Sequence, residues 1–339
     1  MTDIQSLTGD AFWLPVVFIG LMGLAFFLYA ILDGYDLGVG ILLPNNSEAQ
    51  RDTMIASIGP FWDANETWLV MGAGILLIAF PGAHSLVLYN LYLPVTLMMG
   101  GLILRGVAFD FRAKAPENHK TLWDHTFKVG SLLATMAQGY MLGSYVMGFE
   151  HSLNAVLFSS LSAICVTAGY SFIGAAWLVR KTEGELQARA VRWTRRCGWL
   201  TAIGISAVSI VNPIINPVIY ETWFGSPTVL VLLVIPAFCF TLFFIVDRYL
   251  ANFPYQNDFG SWIPLASVIM IFLLCFVGLA YSFFPFVVPN TLDIWQSASA
   301  PESLRFILYG VAVVLPTIIG YTIYSYSVFS GKATQLKYY

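Results

Sequence analysis

Charge is scarce in this chain. Asp, Glu, Lys and Arg make up 10% of its 339 residues against 58% hydrophobic, and the mean hydropathy is +0.74. A soluble domain cannot hide that much apolar surface, so the balance describes a polytopic membrane protein. Histidine is nearly missing: His84, His119, His125 and His151 all fall in loops or at helix ends. A haem buried in a helical bundle wants an axial His, Met or Cys at depth on a helix, so the chain is expected to bind none by itself. The cysteines, Cys165, Cys197, Cys239 and Cys275, sit in or beside different helices without CxxC or Cys/His spacing, and are read as small packing residues. No basic stretch is interleaved with aromatics, which argues against nucleic acid as a partner. Low-complexity tracts and internal periods are also missing. The first ten residues, MTDIQSLTGD, lack a basic run and a small-residue cleavage site, so the first apolar segment is expected to be a retained helix.

What the chain does have is long apolar runs. Crossing about 30 Å of hydrocarbon takes about 20 mostly apolar residues. Nine such runs lie near 12–32, 54–81, 86–109, 126–148, 153–179, 197–219, 227–247, 260–284 and 304–329, the sixth interrupted by Pro213 and Pro217. The expected architecture is all-α, with residues 1–339 forming one transmembrane domain. With nine spans, all of the 16 Lys and Arg residues except Arg305 fall on one side. The positive-inside rule puts that side in the cytoplasm, with the N-terminus outside and the C-terminus inside. An eight-span arrangement scatters the same charges across both faces. Gly100, Gly101 and Gly143 suit close helix contacts, although glycine is simply common in membrane helices.

Carboxylates at membrane depth are costly, and therefore informative. Asp33 and Asp36 share a helix face near the end of the first run, and Asp63 and Glu66 share one in the second, beside Asn65. Read as one continuous helix from Ile55, the second run carries Asp63 roughly 12 Å below its end. Mutual pairing that locks helices together is the simpler reading for Asp33 and Asp36. For Asp63, with no cation within one turn, proton carriage is expected, because a carboxyl in apolar surroundings can exchange protons near neutrality. Asp110, Arg112 and Lys114 follow at the end of the third run.

Five ordered segments, LDGYDLGVGIL (32–42), SIGPFWDANETWLV (57–70), FDFRAK (109–114), TEGELQARA (182–190) and FPFVVPN (284–290), resemble the signatures of subunit II of cytochrome bd-type quinol oxidases. The short stretch between the sixth and seventh spans is similar to the compact branch that includes cyanide-insensitive oxidases. The resemblance implies two four-helix bundles plus a peripheral helix, in the bacterial cytoplasmic (inner) membrane. It implies a haem-bearing subunit I as partner, which holds haems b and d and oxidises quinol while reducing dioxygen to water. By the same resemblance Asp63 is the carboxylate of a cytoplasmic proton route, with Asp110 and Lys114 at its mouth. Trp68 then lies beside the route by which oxygen enters. Asp36 serves assembly, and Asp33, Asn65 and Glu66 give structural support. Some relatives carry a structural quinone or a small accessory subunit, and the sequence leaves both open here.

Two other classes compete with a proton-carrying subunit. One is a purely structural partner without a proton role. The other, an ion-coupled secondary transporter, should show matched helix interruptions in two halves, and the sequence has none.

Overall fold

The second apolar run does not form one helix. In the computed structural model, which describes residues 8–225, 233–253 and 258–333, it divides at Gly59–Pro60–Phe61 into two. Proline supplies no backbone N–H, so a helix ladder cannot run through it without losing a bond. The helices before that break are α1 (Asp10–Ile41) and α2 (Glu48–Ile58). After it come α3 (Trp62–Ala79), α4 (Pro81–Lys114), α5 (Glu117–Val146), α6 (Leu153–Lys181) and α7 (Gly184–Ile215). The short α8 (Pro217–Phe224), α9 (Val234–Ala251) and α10 (Ile263–Phe283) lead to a small hairpin, β1 (Phe286–Val288) and β2 (Leu292–Asp293). The helices α11 (Ile294–Ser297) and α12 (Pro301–Val328) close the order.

Among the described residues seven helices, α1, α4, α6, α7, α9, α10 and α12, are long and apolar enough to cross a membrane. The spans expected at 54–81 and 126–148 correspond to α3 and α5, whose first turns are charged and which fall short of that apolarity. The first residues of the span expected at 227–247 lie outside the described residues. Pro213 is absorbed within α7, whereas Pro217 starts α8, where its missing N–H costs no helix bond.

The chain separates into two units. The first comprises Met1–Asp33, Pro60–Leu91 and Phe283–Gly331. Its core is Ala25, Tyr29 and Trp68, flanked by Leu28, Leu32, Leu69, Met71, Leu315, Ile318 and Ile319, so that α1, α3 and α12 meet there. At the start of α1, Asp10 pairs with Arg305 and accepts a bond from Trp13 Nε1 at 2.9 Å. Trp295 Nε1 donates to the Phe12 carbonyl at 3.0 Å, and its ring stacks on Phe12. The segment after the hairpin caps α3, because Ser299 donates its backbone N–H to Ala79 O at 2.8 Å and its hydroxyl to Ile78 O at 2.6 Å. Those carbonyls at the helix end have no partner within the helix.

The second unit comprises Gly34–Gly59, Tyr92–Ser282 and Lys332–Tyr339. Here the end of α1 crosses α6 backbone against backbone. A Cβ on Gly38 would meet the Tyr170 carbonyl oxygen at 1.8 Å, and one on Gly174 would meet Gly38 C at 2.5 Å. Just beside that crossing Tyr35 stacks on Trp177 with centroids 4.2 Å apart. The crossing explains the glycines of the LDGYDLGVGIL stretch. Gly101 and Gly143 likewise face a neighbouring helix closely, through Gly130 and Ser159, while Gly100 has open space where its Cβ would be.

Candidate functional site

Asp63 occupies the first turn of α3, two residues after the break, and its side chain is exposed. The expectation of a carboxylate 12 Å down a continuous helix is therefore corrected: Pro60 ends the ladder, and Asp63 starts a new helix. A carboxylate in a first turn suits the positive end of the helix dipole. Its neighbours point the other way. Asn65 is 2% exposed and Trp68 3%, and Glu66 is half-buried. Asn65 Nδ2 donates to the Leu32 carbonyl at 3.2 Å, and the Tyr326 hydroxyl donates to Asn65 Oδ1, also at 3.2 Å. The acid next to Leu32 on α1, Asp33, is fully buried. Trp68 lies on the same buried side of α3, two turns from its start, against Tyr29 and Ala25.

In the second unit Asp36 is fully buried, one turn before the Gly38 crossing. The last turns of α4 carry Asp110 and Lys114, both exposed, and between them Arg112, which is buried. Arg112 binds Asp124 of α5 and, through Nη2, Asp52 of α2 at 2.6 Å. The other Asp124 oxygen accepts from Arg51 Nε at 2.6 Å, and Arg51 Nη1 donates to the carbonyls of Pro44 and Asn45 at 3.2 Å each. Arg51, Arg112 and Asp124 are all buried, so one carboxylate is clamped between two guanidiniums. Two charge-assisted pairs of this kind fix the ends of α2, α4 and α5 in one arrangement. Sequence reading missed Asp124: it lies just ahead of an expected span, and nothing local distinguishes it from a solvated loop acid.

A second polar knot holds the TEGELQARA stretch. Gln187 Nε2 donates to Val179 O at 2.9 Å and to Asp258 Oδ1 at 2.7 Å. Lys332, beyond α12, binds Asp258 and the Thr182 carbonyl, and Ala333 N donates to Lys181 O at 2.7 Å. That segment therefore works as an anchor for the end of the chain, a role its sequence does not announce.

None of the four histidines is buried. His84 is half-buried in the first turn of α4, and His119, His125 and His151 are exposed. They do not fit as axial ligands of a haem at depth. Among the described residues no group of three or more His, Cys, Asp or Glu side chains is arranged to hold a metal ion.

Comparison with known proteins gives the chain its relatives. The family model for cytochrome bd terminal oxidase subunit II matches residues 14–329. The cytochrome bd ubiquinol oxidase subunit 2 of Bacillus subtilis (strain 168) is 28% identical over 334 residues, covering 93% of this chain and 95% of the relative. The cytochrome bd-I ubiquinol oxidase subunit 2 of Escherichia coli (strain K12) is 26% identical over 365 residues, covering 93% and 94%. In fold the chain is similar to one from the solved bd oxidase of Geobacillus thermodenitrificans, with a TM-score of 0.75 at 19% identity, over 94% of this chain and 99% of that one.

Proposed function

The chain belongs to the cytochrome bd terminal oxidase subunit II family, and from that membership we propose that it carries a proton route and an oxygen route to a haem-bearing partner subunit. It is a subunit of a quinol:oxygen oxidoreductase complex and acts only within it. The haems, b and d on the partner, supply the oxygen chemistry. This chain's own residues hold and pass protons and exclude water. It sits in the bacterial inner membrane with nine spans forming one membrane domain of two four-helix bundles and a peripheral helix. Its N-terminus faces outside and its C-terminus the cytoplasm. A structural quinone and a small accessory subunit are compatible with this reading and not required by it.

The single observation that carries the proton route is the exposure of Asp63. It is an ionisable group in the first turn of α3 whose neighbours Phe61, Asn65 and Trp68 are all buried, so its carboxylate is the one aimed outward. A group that relays protons must reach a donor on one side and release to an acceptor on the other, and an exposed carboxylate can. Asp110 and Lys114 are likewise exposed at the end of α4, where a paired acid and base collect protons from water. Trp68 belongs to the oxygen route, since its apolar surroundings of Tyr29, Ala25 and Leu69 dissolve a nonpolar gas and exclude water. Asp33, Asp36, Asn65 and Glu66 support the helices.

The rival reading, a scaffold without a proton role, draws on the complete burial of Asp33 and Asp36, which suits packing and not exchange. One experiment separates the two. Asp63→Asn keeps the size and removes the ionisable proton, so the complex should assemble with a normal haem spectrum and turn over quinol slowly per haem. Asp36→Asn, in contrast, should lower the amount of assembled, haem-loaded complex. Full activity per haem in Asp63→Asn gives the scaffold reading the field.

A further inference from the structure

The first turn of α3 is gripped on one face by a residue from the far end of the chain. Phe61 precedes that helix, and Asn65 closes its first turn by donating its backbone N–H to the Phe61 carbonyl at 2.9 Å. The Tyr326 ring stacks on Phe61 with centroids 4.3 Å apart and planes 24° from parallel, and Phe329 meets the same ring edge-on at 5.9 Å. The hydroxyl of Tyr326 reaches past Phe61 to Asn65 Oδ1 at 3.2 Å. With Asn65 Nδ2 already donating to the Leu32 carbonyl, both ends of that amide are engaged, by α12 and by α1.

Residues 61 and 65 are one turn apart and share a face of the helix, whereas residue 63 lies about 200° around from residue 61. Burial follows the same division: Phe61 and Asn65 are each 2% exposed, and Asp63 is exposed. The grip therefore acts on the buried face and sets the rotation at which the opposite face leaves the protein. We propose that Tyr326 is a positioning residue for Asp63: its ring and hydroxyl clamp Phe61 and Asn65, and so fix the direction in which the Asp63 carboxylate is presented for proton transfer. The inference rests on the reading of Asp63 as a proton carrier.

Proton transfer needs donor and acceptor within hydrogen-bond reach, so a loosened turn slows the step without removing the group that performs it. Tyr326→Phe keeps the ring stack and deletes only the hydroxyl, while Tyr326→Leu deletes both. The variants are made in the intact complex with its partner, beside Asp63→Asn and the double variant Asp63→Asn/Tyr326→Phe. Tyr326→Phe is expected to assemble with the wild-type haem spectrum, to lose roughly three- to tenfold in quinol turnover per haem, and to show a larger solvent deuterium isotope effect on turnover. In the double variant the Tyr326→Phe change should add no loss to that of Asp63→Asn. Tyr326→Leu should lose more turnover per haem than Tyr326→Phe in whatever complex assembles. A purely structural tyrosine lowers the yield of complex and leaves turnover per haem and the isotope effect alone. Wild-type turnover in Tyr326→Phe beside a slow Asp63→Asn overturns the inference and leaves the proton route standing, and so does a Tyr326→Phe defect that persists undiminished in the Asp63→Asn background. If Asp63→Asn itself turns over at the wild-type rate per haem, the proton reading fails and the inference falls with it.

Discussion

Asp124 shows how much one buried carboxylate can organise. It satisfies Arg51 on one oxygen and Arg112 on the other, with all three side chains out of water. Removing one partner of a buried pair leaves the other charge uncompensated, which costs about 3–5 kcal/mol. Asp124→Ala strands two guanidiniums at once, at the ends of α2 and α4. The expected outcome is a drop in the thermal midpoint of the detergent-solubilised complex and a lower yield from membranes, with Asp124→Glu between the variant and wild type. Unchanged stability in Asp124→Ala contradicts the clamp. The pair Asp63 and Asp124 marks the limit of reading single residues. Asp63 stood out in the sequence because it interrupts an apolar run. Asp124 did not, because its importance lies in two arginines 73 and 12 residues away.

At the scale of elements, glycines decide where helices touch. The end of α1 and the middle of α6 meet at Gly38 and Gly174 with no space for a methyl group. Small residues drive association in membranes because lipid tails are as apolar as leucine, leaving close packing as the difference between a protein neighbour and a lipid one. Gly38→Ala forces the two helices apart, and overpacking of this kind costs about 1–3 kcal/mol or more. Gly100→Ala, where nothing lies within 4 Å, should be neutral. Yield of assembled, haem-loaded complex is the quantity to compare; equal yields for the two variants contradict the close crossing. Pro60 sets a second boundary, since it splits one apolar run into α2 and α3 and turns an apparent mid-helix acid into one in a first turn.

For the whole molecule, the open question is direction across the membrane. Fifteen of the sixteen cationic side chains fall on one side of a nine-span topology, and Arg305, the exception, pairs with Asp10 near the other end. The positive-inside rule then puts the α6–α7 turn in the cytoplasm. Gln187 in that region is buried against Asp258 and is a poor reporter, whereas Ala188 is exposed. A cysteine at Ala188, in a background without the native cysteines, should resist a membrane-impermeant thiol reagent in intact cells and react once the membrane is opened. Labelling from outside in intact cells reverses the orientation. Much of the surface is apolar: none of the apolar window of α12 is buried within the chain, and Tyr89, Tyr92 and Leu93 on α4 stand exposed. Lipid and a partner subunit both cover such surface in a membrane complex.

Membrane class, the approximate place of each apolar run and the family were legible from the sequence, because hydropathy and motif order are properties of consecutive residues and need no knowledge of what packs on what. The carboxylates of Asp33, Asp36 and Asp63 were conspicuous for the same reason, as charges inside apolar runs. Which of them is buried and which faces outward was decided by tertiary structure, since a break at Pro60 and the rotation of α3 settle it. Tyr326 reaches Asn65 across 261 residues of chain, and Asp124 draws in arginines from two other helices. In a bilayer both lipid and protein neighbours are apolar, so the pattern along a helix does not say which face meets which neighbour. That choice is made by close backbone approach and by a few buried polar contacts, which exist only once the helices are together.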